Sequence, residues 1–172
     1  ASLSHEFAMN SVTCTSPSKT FNLAGMQASN IIIPNPKLKD KFRRVLERNG
    51  IGSQNPFSIV ALEAAYNEGE DWLEELLEYL EGNIKFIHEF LAKNLPKAKL
   101  IDPQATYLGW IDLREYEEDG GRLEKLIIEK GKVALDGGTW FGQDGAGFMR
   151  LNFACPRSLL EKALKGIYSA LR

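Results

Sequence analysis

The chain has 172 residues, 44% of them hydrophobic and 26% charged, a make-up that belongs to a folded globular protein and excludes a disordered one. A net charge of −2 and a pI near 5.8 argue against a nucleic-acid or anionic-membrane partner, since either would favour a basic surface. No apolar run approaches the ~20 residues that span a bilayer and no leader pattern opens the chain, so it is read as cytoplasmic.

Ser4 to Asn10 is expected to be a short helical or irregular piece, and Val12–Thr15 a short strand leading into a loop around Lys19. The β-branched run Ile31–Ile33, ended by Pro34, predicts a buried strand. Asn35-Pro36 supplies an N-cap and an N1 proline for a helix to about Arg48, with Leu38, Phe42, Val45 and Leu46 on one face and Asn49-Gly50 as the stop. A second such pair, Asn55-Pro56, opens a helix through Tyr66.

The longest predicted helix runs from Asp71 to about Lys93, where Leu73, Leu76, Leu77, Leu80, Ile84, Ile87 and Leu91 recur at helical spacing. Glu74, Glu75, Glu78 and Glu81 form its solvated face, and Gly82, which costs ~1 kcal/mol against alanine, marks a bend or a close contact. Strands are expected at Ala98–Ile101, Tyr107–Asp112, Val133–Leu135 and Gly147–Ala154, with helices at Arg122–Lys130 and Arg157–Leu171. This alternation describes an α/β or α+β domain. Tyr107 and Trp110 are read as core packing, Trp140 as packing, and the glycine-rich stretch from Gly137 to Gly142 as a flexible segment near a substrate entrance. Cys14 and Cys155 are read as free thiols; with His5 and His88 isolated, no metal site is expected.

Two stretches carry chemistry. Ser16-Pro17-Ser18-Lys19 sets one lysine among hydroxyls in an apolar neighbourhood. An amine beside buried surface loses hydration, which favours the neutral form that attacks an aldehyde, and serine hydroxyls can hydrogen-bond a phosphate. In Phe148-Met149-Arg150-Leu151-Asn152-Phe153, period-two alternation puts Met149, Leu151 and Phe153 on a core face and Phe148, Arg150 and Asn152 on the other. Arg150 there is either a solvent-facing strand arginine or a bidentate carboxylate receptor pointed into a cleft.

The segments SPSKTFNLAGMQ (16–27) and GFMRLNFACP (147–156), with NGIGSQNPFS and ATYLGWIDLR between them, resemble the pyridoxal-phosphate enzymes of the class I/II aminotransferase superfamily, nearest to its cystathionine β-lyase or cysteine-S-conjugate β-lyase branch. The resemblance covers nearly the whole chain. It implies the C-terminal part of a fold-type I enzyme, with 1–68 as the end of the large cofactor-binding domain and 69–172 as an interdomain helix and the small α/β domain. It implies pyridoxal 5'-phosphate as cofactor, Lys19 as the Schiff-base lysine, Ser16 and Ser18 as cofactor contacts, and Arg150 as the receptor of the substrate α-carboxylate. At Gln27 the chain departs from the arginine that many members carry for the phosphate.

The activity implied is a carbon–sulfur β-lyase that releases a thiol, pyruvate and ammonia, in a homodimer acting on a small amino acid; an aminotransferase is the alternative. The family's pyridine-nitrogen aspartate and its phosphate loop precede the lysine, where this chain has eighteen residues. The chain alone is therefore expected to be inactive, and a noncatalytic module is a third reading.

Overall fold

The computed structural model describes residues 2–172. It divides into two compact units, one through Glu74 and one from Glu75 to Arg172, so the division falls inside a single long helix.

In the first unit, α1 (His5–Met9) is capped by the Ser4 hydroxyl, which accepts from the Phe7 N–H. β1 (Thr13–Thr15) and β2 (Asn30–Ile32) form a two-stranded antiparallel ribbon with Cys14 opposite Ile31. Between them lies the Lys19 turn. The two Asn-Pro pairs act as expected: the Asn35 side chain accepts from Lys37 and Leu38 N–H at the start of α2 (Pro36–Arg48), and Asn55 accepts from Phe57 N–H at the start of α3 (Pro56–Glu68).

The strand around Ile31 is a correction. Of the run Ile31–Ile33 only Ile33 is buried; Ile31 and Ile32 are 37% and 52% exposed, since a ribbon of two strands cannot cover both of its own faces. In α3 the half-buried or buried residues are Ser58, Ala61, Leu62 and Ala65, a stripe at helical spacing. The bulkier Phe57, Val60 and Tyr66 point outward.

The second unit begins in α4 (Glu70–Asn94) and continues through β3 (Lys99–Ile101), β4 (Leu108–Asp112), α5 (Gly120–Glu129), β5 (Asp136–Gly137), β6 (Phe148–Asn152) and α6 (Arg157–Leu171). The strands make one antiparallel sheet in the order β3-β4-β6-β5. Gly109, Ile111, Met149 and Leu151 are buried on one face. They join Ile87 and Leu91 of α4, Leu123 and Ile127 of α5, and Leu160, Leu164 and Ile167 of α6 in one core. The helices cover this face, and the other is left to Trp110, Phe148 and Arg150.

Asn83 is the polar exception in that core. It is fully buried in α4, donates to the carbonyls of Phe153 (2.8 Å) and Cys155 (3.2 Å), and accepts from Arg157 Nε (2.7 Å). Carbonyls beyond the end of a strand have no ladder partner, and the amide supplies one. Next to it, a Cβ on Gly82 would lie 3.2 Å from Arg157 Nη2, so the close contact expected at that glycine is present.

Two further expectations give way. The strand placed at Val133–Leu135 is instead the two-residue β5 that follows it. The stretch from Gly137 onward, read as flexible, folds as two 3-10 turns, Gly138–Phe141 and Gln143–Gly145; a Cβ on Gly138 would sit 2.0 Å from the Gly145 carbonyl oxygen. Only glycine permits that approach. Among the described residues no helix is long and apolar enough to cross a membrane, and no cluster of side chains could hold a metal ion.

Candidate functional site

Lys19 sits at the crest of a hydrogen-bonded turn. Phe21 N–H donates to the Pro17 carbonyl (2.9 Å) and Leu23 N–H to the Ser18 carbonyl (3.0 Å), while Asn22 takes a left-handed φ of 54° to complete the reversal. The Ser16 hydroxyl staples the base of the turn: it donates to the Ala28 carbonyl at 2.7 Å and accepts from the Ser18 N–H at 3.1 Å. Pro17 is buried, Ser18 is half-buried, and the Lys19 side chain is exposed.

Among the described residues of the first unit, none encloses the lysine in the apolar surroundings expected for it. The apolar packing lies behind it, where Phe21 stacks on Trp72 with centroids 6.2 Å apart and meets Tyr66 edge-on at 5.8 Å. A Cβ on Gly69 would fall 2.8 Å from the Phe21 ring, so the glycine that ends α3 makes room for it. A fixed backbone turn with an outward primary amine suits a ligand bearing an aldehyde. The Ser16 hydroxyl proton is committed to the Ala28 carbonyl, and one lone pair accepts from Ser18 N–H.

Arg150 lies in the second unit, on the open face of β6, between Trp110 of β4 and Asp136 of β5. Its Nε donates to Asp136 Oδ2 at 2.9 Å and its Nη2 donates to the same oxygen. The guanidinium carbon stands 4.7 Å from the centre of the Phe141 ring, which meets Trp110 edge-on at 5.4 Å. Trp110 in turn stacks on Phe148 at 5.7 Å. Trp110 is thus part of the open face, which corrects its assignment to the core. Tyr107 does pack against the core, and Trp140 is 65% exposed.

A cavity of about 530 Å³ borders this arginine, lined also by Asp136, Asn152, Cys155, Lys132 and Lys162. Burial pushes the Cys155 thiol up from its ordinary pKa. At the far end of β4, the Arg114 guanidinium donates to both carboxylate oxygens of Asp112 (3.0 and 2.7 Å) and holds that carboxyl below the usual range. His88, read as isolated, has its Nε2 3.1 Å from Asp102 Oδ1, a surface contact.

Asp136 was missed in the sequence because it follows an apolar run and carries no motif. Its signal was positional: a carboxylate at the start of a short strand can meet an arginine only once strand register is known.

The α/β chain thus carries one turn held by backbone hydrogen bonds that presents an amine and another that flanks a half-buried arginine. The chain belongs to the aminotransferase class I and II family, whose model matches residues 3–167. It is 48% identical over 171 residues to the cystathionine beta-lyase PatB of Bacillus subtilis, covering 99% of this chain and 44% of that protein. Cystalysin from Treponema denticola, whose crystal structure contains a pyridoxal 5'-phosphate cofactor, superposes with a TM-score of 0.91 at 34% identity, over 99% of this chain and 43% of that one. The PLP-bound C-S lyase from Staphylococcus hominis gives 0.81 at 38% identity, over 93% and 42%. The chain thus spans less than half the length of these proteins.

Proposed function

We propose that the protein to which this chain contributes is a pyridoxal 5'-phosphate-dependent carbon–sulfur β-lyase, cleaving cystathionine or a cysteine S-conjugate to a thiol, pyruvate and ammonia. The observation that carries the reading is the outward Lys19 amine on its stapled turn, in a chain 48% identical to a cystathionine beta-lyase. On this reading residues 1–68 are the end of the cofactor-binding domain and 69–172 the interdomain helix and small domain. A cytoplasmic homodimer fits two free thiols and an α3 that exposes Phe57 and Val60.

Lys19 would hold the cofactor through its amine, and Ser18 and Ser16 would lie toward the phosphate, Ser16 by exchanging its Ala28 bond. The bound cofactor supplies an electron sink for charge developing at the substrate Cα. With the cofactor bound, Lys19 Nζ would be the base that takes the substrate Cα proton. Arg150 would donate to the substrate α-carboxylate from its planar fork and so fix the position and plane of that group. An aminotransferase would use the same residues and differ in where Lys19 returns the proton.

The test is a competition in the full-length enzyme. With cystathionine as substrate, pyruvate and ammonia should form at the same rate with or without a 2-oxo acid, and Lys19→Ala should abolish turnover. New amino acid formed only when the oxo acid is present, with little ammonia, would transfer the assignment to the aminotransferases.

A further inference from the structure

We propose that Asp136 is a positioning residue for carboxylate recognition, holding Arg150 by the side of its guanidinium so that the end of the fork faces the substrate. The inference rests on the reading of Arg150 as the α-carboxylate receptor. A guanidinium offers two bidentate edges, the side edge of Nε with one Nη and the end edge of the two Nη groups. Asp136 takes the side edge: Nε and Nη2 both donate to its Oδ2. Among the described residues no acceptor takes Nη1, which leaves the end edge open beside the cavity.

Two restraints act on the group. Asp136 stops rotation within the guanidinium plane, and the Phe141 ring, 4.7 Å below, stops the plane from tilting. Phe141 is itself braced edge-on by Trp110. The register of the sheet makes the arrangement specific, since Asp136 and Trp110 are the direct cross-strand neighbours of Arg150 on its two sides. The arginine is therefore fixed before a ligand arrives, and the ordering of a long side chain is not charged against binding. An ion pair serving only the fold would not need to leave the end edge clear.

The experiment uses the cofactor-loaded full-length enzyme, S-ethylcysteine and its carboxamide as substrates, and calorimetric binding of 3-(ethylthio)propionate and its amide. Asp136→Ala should raise KM for the acid about tenfold with kcat changed less than twofold, and weaken 3-(ethylthio)propionate to a similar degree. The two amides should be unaffected. Asp136→Asn, which keeps an acceptor oxygen at the side edge, should recover most of the loss. Equal losses for acid and amide, or no loss in either variant, would overturn the positioning role. Arg150→Lys separates the two levels: if it discriminates acid from amide while Asp136→Ala does not, this inference alone falls, and if it fails to discriminate, the carboxylate reading falls with it.

Discussion

The two units handle apolar side chains in opposite ways. From Leu80 to Ala170 the second unit buries an unbroken cluster drawn from three helices and one sheet face. In the first unit, only Pro17, Ile33 and Ser58 are buried among the described residues, while Phe57, Val60, Ile51 and Val45 are each more than half exposed. Burial of a large aliphatic or aromatic side chain contributes about 1.5–3 kcal/mol, so the first unit draws little of its order from its own interior. It relies on capped helices and hydrogen-bonded turns. The unit that carries Lys19 is thus the one whose apolar surface calls for cover, and the unit that carries Arg150 is built around its own core.

The strongest way to break this contrast is at Asn83. Replacing it with alanine strips a donor from the Phe153 and Cys155 carbonyls and an acceptor from Arg157. A fully buried group left unpaired costs about 1–3 kcal/mol and the two half-buried ones less, so Asn83→Ala should lower the unfolding free energy of the second unit by roughly 2–4 kcal/mol, read by denaturant titration. A loss under half a kcal/mol would show that the core does not depend on this amide.

A smaller effect is expected in α3. Phe57→Ser with Val60→Ser alters side chains 75% and 66% exposed, so the chain should change in stability by no more than about 0.5 kcal/mol and bind less of a hydrophobic dye. A drop of several kcal/mol would mean that the first unit has a core after all.

The least effect should come from acid. The Asp112 carboxyl is held low by the Arg114 guanidinium, so its stabilising contribution is present above the unfolded-state pKa and fades as pH falls through the folded one. Asp112→Asn should lower stability slightly at neutral pH, leave the most acidic end of the profile unchanged, and so flatten the acid limb below about pH 4. An acid limb that stays as steep would assign the proton uptake to other carboxylates.

How much could be read beforehand follows from how local each cause is. The Asn-Pro caps of α2 and α3 and the apolar stripe of α6 act within a few residues, and those elements lie where the sequence places them. The alternation along Phe148–Asn152 likewise showed which side of β6 is core and put Arg150 on the other. What escaped depends on partners distant in the chain. Asp136 acquires its role from the register of β5 on β6, and Asn83 from carbonyls some seventy residues on. Trp110 has the composition of a core residue but sits on a sheet face that the helices leave open. For α3, a helix apolar nearly all round gives no periodic signal of which side turns inward.

Asn83 has a mechanical consequence as well. Its amide grips the chain at the first residue after β6 and again two residues later, so the strand bearing Arg150 is moored to the middle of a 25-residue helix. A charge tugging on the guanidinium pulls against that mooring and not against a slack loop, and strand slippage by one residue, which would swing the arginine to the opposite face, would first have to cast off both carbonyls.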